Sequence, residues 1–172
     1  MDKGYIHVYT GPGKGKTTSA IGLGIRAAGA GNKVHMIQFM KGRKYCELNI
    51  LDDINNFTYS QHGRDEFVDK KNPEQIDIDL ARKGFEHAKK LIRSKKYDMI
   101  ILDEINVAVD FNLIKIDELL DLIQEKPVGL ELIITGRYAK KDIIKNSDYV
   151  TEMLEIKHPY KKGVEARRGC EY

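Results

Sequence analysis

Apolar residues recur along the chain in two alternating rhythms. Short continuous runs rich in β-branched and aliphatic residues, at 5–9, 33–39, 97–102 and 130–135, read as strands. A shorter run at 57–60 and an edge-like one at 149–156 complete the set. The segments between them predict helices at about 16–30, 46–53, 74–94, 115–125 and 139–146. In the 74–94 segment Ile76, Leu80, Gly84, Ala88 and Leu91 fall at three- and four-residue spacing, a stripe suited to face a core. Asn72-Pro73 ahead of it reads as a cap followed by a helix-opening proline.

Strands alternating with helices predict a mainly parallel sheet of about six strands, covered on both faces. With 172 residues and no internal repeat, linker or low-complexity stretch, one domain over 1–172 accounts for the chain. In such sheets ligands bind beyond the carboxyl ends of the strands. That rule gathers distant segments onto one rim: the turn after the first strand, Lys41-Gly42-Arg43, the 61–73 loop, Asp103-Glu104-Ile105-Asn106, Gly136-Arg137-Tyr138 and Lys157-His158-Pro159-Tyr160.

Composition narrows the partners. Charged residues make up 32% of the chain but nearly cancel, at a formal +3, so no strong field for nucleic acid is implied. The apolar runs fall far short of the ~20 residues that span a bilayer, and no signal peptide is expected before the first strand. Cys46 and Cys170 form neither a disulfide framework nor a zinc pattern and read as unreactive thiols. A reduced, cytoplasmic setting fits.

The first strand runs straight into Thr10-Gly11-Pro12-Gly13-Lys14-Gly15-Lys16-Thr17-Thr18, and a helical pattern follows at once. Strand, glycine-rich turn with Gly-Lys-Thr, then helix is the context of a P-loop. Glycines let the backbone curl so that N–H groups point into one cavity, and the helix dipole and the Lys16 charge add to the field there. These nine residues are therefore expected to bind ATP, with Arg26, farther along the same helix, counted in the set. Two features depart from the strict pattern: Thr10 stands where glycine is usual, and Pro12 removes one N–H donor. The whole is a three-layer P-loop NTPase-like (RecA-like) domain.

Asp103-Glu104 closes an apolar strand, the place of a Walker B carboxylate. A hard Mg²⁺ ion wants oxygen ligands, so Thr17 with Asp103 or Glu104 and phosphate oxygens would hold it. The alternative for Asp103 is a helix cap. Arg137 reads as a charge clamp on the phosphates or as a surface arginine, and Lys14 as a second phosphate ligand or a solvated charge. His158 lies on the rim, while His7 and His35 sit inside strands. No Asn-Lys-x-Asp guanine reader is present, which favours ATP over GTP.

Taken together, the segments resemble the P-loop corrinoid adenosyltransferases. The likeness runs through the 10–18 loop, Gln38-Phe39-Met40-Lys41-Gly42, Ile101-Leu102-Asp103-Glu104-Ile105-Asn106, Ile134-Thr135-Gly136-Arg137 and Val150-Thr151-Glu152-Met153. It continues in the stretch from Ile156-Lys157-His158-Pro159-Tyr160 to Gly163 and in the closing Gly169-Cys170-Glu171-Tyr172, so it covers essentially the whole chain. The resemblance implies attack by the cobalt(I) of a corrinoid on the 5′ carbon of ATP, with triphosphate expelled and Lys16 and Arg137 as the catalytic charges. It also implies a flavoprotein-type reductant and a homodimer. Phe67, the sole aromatic between Tyr59 and Phe85, is the candidate to displace the lower cobalt ligand, with a small packing contact under the loop as its alternative. Lys41, Tyr138 and His158 complete the implied corrinoid set. The competing functions are a small-molecule kinase or ATPase and a non-enzymatic ATP-sensing module.

Overall fold

A computed structural model describes residues 2–172. Six strands, β1 (Ile6–Thr10), β2 (Val34–Phe39), β3 (Phe57–His62), β4 (Met99–Asp103), β5 (Glu131–Thr135) and β6 (Tyr149–Glu152), form one sheet in the order β3-β2-β4-β5-β1-β6. Every neighbouring pair is parallel, so the sheet is wholly rather than mainly parallel. Strands β2, β4 and β5 are buried at every position, as strands covered on both faces must be.

The helices are α1 (Lys16–Gly29), α2 (Cys46–Leu51), α3 (Gln75–Ser94), α4 (Ile105–Asp110), α5 (Ile116–Gln124) and α6 (Lys141–Lys145). Residues of α1 and α2 pack with Met36, Ile101 and Ile133 on one face, and those of α3 to α6 with Ile37, Ile100 and Leu132 on the other. The six-residue α4 is the one helix the periodicity missed, because it begins directly after the Asp103-Glu104 pair. Glu104, not Asp103, is its N-cap residue; Asp103 ends β4.

Three further expectations are corrected. The buried stripe of α3 runs through Asp77, Ala81, Gly84, Phe85, Ala88 and Ile92, rotated from the predicted one, and Ile76 is exposed. The helix starts at Gln75, past Pro73, because Glu74 and Asp77 form a capping box. Strand β6 stops at Glu152 because Met153 leaves the sheet to bond with the turn after β1.

On the β3 side of the sheet three histidines form a chain. The Thr58 hydroxyl donates to the Val34 carbonyl (3.3 Å), so His35 Nδ1–H donates to Thr58 Oγ1 (2.7 Å) and His35 Nε2 accepts from Ser60 Oγ (3.2 Å). His87 Nδ1 then faces both Ser60 Oγ (3.4 Å) and His62 Nε2 (3.3 Å), an order in which the His35 and His62 rings accept and are neutral. Burial, then His87 and His62, lower the His35 pKa from 6.5 to about 4. The unfolded chain thus takes up a proton near pH 6.5 that the folded chain refuses until about pH 4. The stabilisation is complete above pH 6.5 and fades as pH falls through that window, by on the order of 3 kcal/mol. Urea midpoints should fall between pH 6.5 and 4 in the parent and fall less in His35→Gln; parallel curves would reject the assignment.

Candidate active site

Between the end of β1 at Thr10 and the start of α1 at Lys16, the chain wraps around its own lysine. Lys16 is buried, and its Nζ donates to the carbonyls of Gly11 (3.0 Å) and Gly13 (2.6 Å). It is not the exposed charge that a loop position suggests. Burial pushes its pKa down, opposed by the nearby carboxylates of Glu104 and Asp103. Gly11 has φ 98°, and a Cβ there would come within 2.5 Å of the Met153 carbonyl oxygen. That carbonyl accepts the Gly13 N–H (2.7 Å), so one loop donor is spent on holding the loop against the segment that follows β6. Thr10, the departure from glycine, is buried, and its Oγ1 accepts the Ala139 N–H (3.2 Å). The N–H groups opening α1, at Lys16, Thr17 and Thr18, have no intrahelical acceptors, and all three residues line the cavity.

Asp103 is fully buried and has all of its acceptor capacity in use. Its Oδ1 accepts from Thr17 Oγ1 (2.8 Å) and Thr135 Oγ1 (2.7 Å), and its Oδ2 from Lys41 Nζ (2.7 Å) and Gln38 Nε2 (3.2 Å). Despite burial, which works the other way, the Lys41 charge and these hydrogen bonds hold the carboxyl below its usual range. The same pair raises the Lys41 pKa against the pull of burial. Glu104 adopts a left-handed backbone conformation (φ 64°), with its N–H on Thr135 Oγ1 (3.0 Å). This strained turn places Glu104 on the cavity wall, where burial and the adjacent Asp103 charge raise its pKa. Oxygen donors on Thr17 and Glu104, steadied by Asp103, suit a hard cation that takes its remaining ligands from phosphate and water.

These residues open onto a cavity of about 900 Å³. It brings together Gly13, Lys14, Gly15, Lys16, Thr17, Thr18, Lys41, Phe67, Glu104, Arg137 and His158. Thr10, Gly11 and Pro12 shape the loop from behind and do not line it. Arg26 stands in the last turn of α1, and Tyr138 points its ring at Lys70 Nζ (5.5 Å); neither lines the cavity. Lys41, expected as a corrinoid contact, is spent on Asp103. Lys14 is paired with Glu171 (3.0 Å), a residue that also accepts from Arg167. Phe67 is 99% exposed, so it makes no packing contact beneath its loop. His158 Nδ1 accepts from Tyr160 N (3.2 Å) and opens a short 3-10 turn.

Sequence reading missed the apolar wall formed by Met40, Val68, Val107 and Phe111, and the share of the closing Gly169–Tyr172 segment in the cavity lining. No spacing pattern marks such residues, since they meet only through folding. The free thiols of Cys46 and Cys170 also border the cavity.

Residues 2–172 match the family described as ATP:corrinoid adenosyltransferase BtuR/CobO/CobP. Among similar proteins, a corrinoid adenosyltransferase of a Sinorhizobium species is 36% identical over 99% of this chain and 81% of its own. One from Escherichia coli K12 is 35% identical over 99% and 87%, and one from Pseudomonas aeruginosa 33% over 99% and 85%. Among solved structures, a KaiC-like protein from Pyrococcus horikoshii superposes with a TM-score of 0.58, covering 88% of this chain and 72% of its own. Identity there is 13%, so that likeness concerns the fold alone.

Proposed function

The chain belongs to the ATP:corrinoid adenosyltransferases, and we propose that it transfers the 5′-deoxyadenosyl group of ATP to the cobalt(I) of a corrinoid and releases triphosphate. The observation that carries this reading is a single large cavity with two chemistries, a charged phosphate loop at one end and an apolar wall beside it.

In this reading the triphosphate takes the phosphate loop, and Lys16 exchanges its carbonyl contacts for leaving-group oxygens. Arg137 adds a second positive charge on the same side. Thr17 and Glu104 would hold Mg²⁺, which neutralises phosphate charge when bound, while Asp103 orients Thr17 and stays bonded to Lys41. Cobalt(I) supplies the electron pair for the new cobalt–carbon bond, and the pair of the C5′–O bond leaves with triphosphate. The nucleophile carries no proton, so the step asks for alignment and charge stabilisation rather than a base. A flavoprotein-type reductant, a homodimer and a cytoplasmic setting belong to the same reading; among the described residues no helix is long and apolar enough to cross a membrane.

Product analysis tests it: triphosphate and an adenosylated corrinoid are expected. ADP or phosphate would instead identify a kinase or ATPase, and binding without turnover a sensing module.

Phe67, exposed in its loop, is assigned to the lower face of the corrin ring. Phe67→Ala should slow transfer about three- to tenfold from cobalt(II) corrinoid with a reductase, the effect of one aromatic contact of about 0.5–1.5 kcal/mol. Transfer from pre-reduced cobalt(I) and thermal stability should be unchanged, and equal cobalt(II) rates would reject the role.

A further inference from the structure

Asp110, the last residue of α4, is 9% exposed and does not line the cavity, yet it joins three segments that do. Its Oδ2 accepts Lys70 Nζ (2.5 Å) from the loop that carries Phe67 and Val68. Its Oδ1 accepts Lys140 Nζ (2.5 Å) from the turn that carries Arg137. Lys70 Nζ also lies over the rings of Phe111 (5.6 Å) and Tyr138 (5.5 Å), so an ammonium and two aromatic faces close the same joint.

The Phe67 loop has a second anchor at its other end. Arg64 grips Asp77 with Nε (2.8 Å) and Nη2 (3.1 Å) and bonds Glu74 (2.5 Å), both at the head of α3. Between the anchors Asp65, Glu66 and Phe67 are exposed and Val68 packs against the core, so the tip is held by one apolar contact and by the two ionic anchors.

We propose that Asp110 is a positioning residue, a clasp that fixes the corrinoid-facing loop against the Arg137 turn and so sets the corrinoid site without touching either substrate. This rests on the function proposed above. The burial pattern separates the clasp from a generic stabilising pair. The Lys70 and Lys140 side chains are 53% and 42% exposed, so without the carboxylate both ammonium groups reach water. The cost then falls on loop position, not on an unpaired buried charge.

The test compares the parent with Asp110→Asn and Lys70→Gln, the second disturbing only the loop half of the joint. Both variants should raise KM for the corrinoid by about tenfold, within the range that a small misplacement produces. MgATP binding, measured directly by calorimetry, should stay at the parental value, and Asp110→Glu should restore most of the corrinoid KM. Limited chymotrypsin cleavage after Phe67 should be faster in both variants. An unchanged corrinoid KM, an unchanged cleavage rate, or an equal loss of MgATP affinity would each overturn the clasp. If the parent itself transfers no adenosyl group, the functional reading fails, and the cleavage rates alone decide whether Asp110 holds the loop.

Discussion

Replacing Lys16 by alanine should lower turnover by about 10²–10³-fold, the typical cost of removing one preorganised donor from a developing anion. The reason lies in where the ammonium sits. It is buried among the loop carbonyls of Gly11 and Gly13 and needs only to exchange partners when a triphosphate arrives. A contact that strengthens as charge builds on the leaving group acts on turnover more than on ground-state binding. Because the side chain is buried, the alanine variant also loses two charge-assisted hydrogen bonds, worth about 1.5–3 kcal/mol each at most. Lys16→Met keeps most of the buried stem and separates the effects: activity should fall as far as in the alanine variant, with a smaller fall in melting temperature. Near-normal turnover of either variant at saturating MgATP would overturn the role of this loop.

Asp103→Asn should be the most destabilising conservative change in the site, by about 3–5 kcal/mol. An amide in place of Oδ2 would point a donor at two donors, Lys41 Nζ and Gln38 Nε2, and leave the Lys41 charge buried without its counter-charge. Lys41→Met should cost a similar amount by stranding the opposite charge. The double variant, which removes both charges, should recover much of the stability but not the activity, since Thr17 would lose the carboxylate that orients it. Glu104→Gln is the contrast. Among the described residues no ion pair involves that side chain, so stability should hold while the Mg²⁺ concentration needed for half-maximal activity rises. If Asp103→Asn unfolds at the parental denaturant concentration, the buried pair is not what holds β2 and β4 together at this end.

The predicted elements and the phosphate loop were legible because they are local. Continuous aliphatic runs at 97–102 and 130–135 carry the pattern of strands buried on both faces, and Gly-Lys-Thr in a glycine-rich turn between strand and helix carries that of a P-loop. Even the order of rim segments followed from a rule about parallel sheets. The errors were local contests that tertiary contacts settled. Arg64 claims Asp77, so the buried stripe of α3 passes through an aspartate instead of Ile76. The Met153 backbone is claimed by Thr10 and Gly13, so β6 ends four residues early.

By itself, then, the sequence determined the main alternation of strands and helices, the glycine-rich turn between β1 and α1, and the carboxylate pair at the end of β4. Only the tertiary structure decided which charge answers which. It joined Lys41 to Asp103 across 62 positions, Lys14 to Glu171 across 157, and Asp110 to Lys70 and Lys140 across 40 and 30. Hydrophobic periodicity carries no information about such pairings, because a lysine on any surface loop has the same local pattern whether its partner is water or a buried carboxylate. For Asp103 the pairing follows from the sheet order, which sets β4 beside β2 and so brings the segment after β2, with Lys41, to the end of β4.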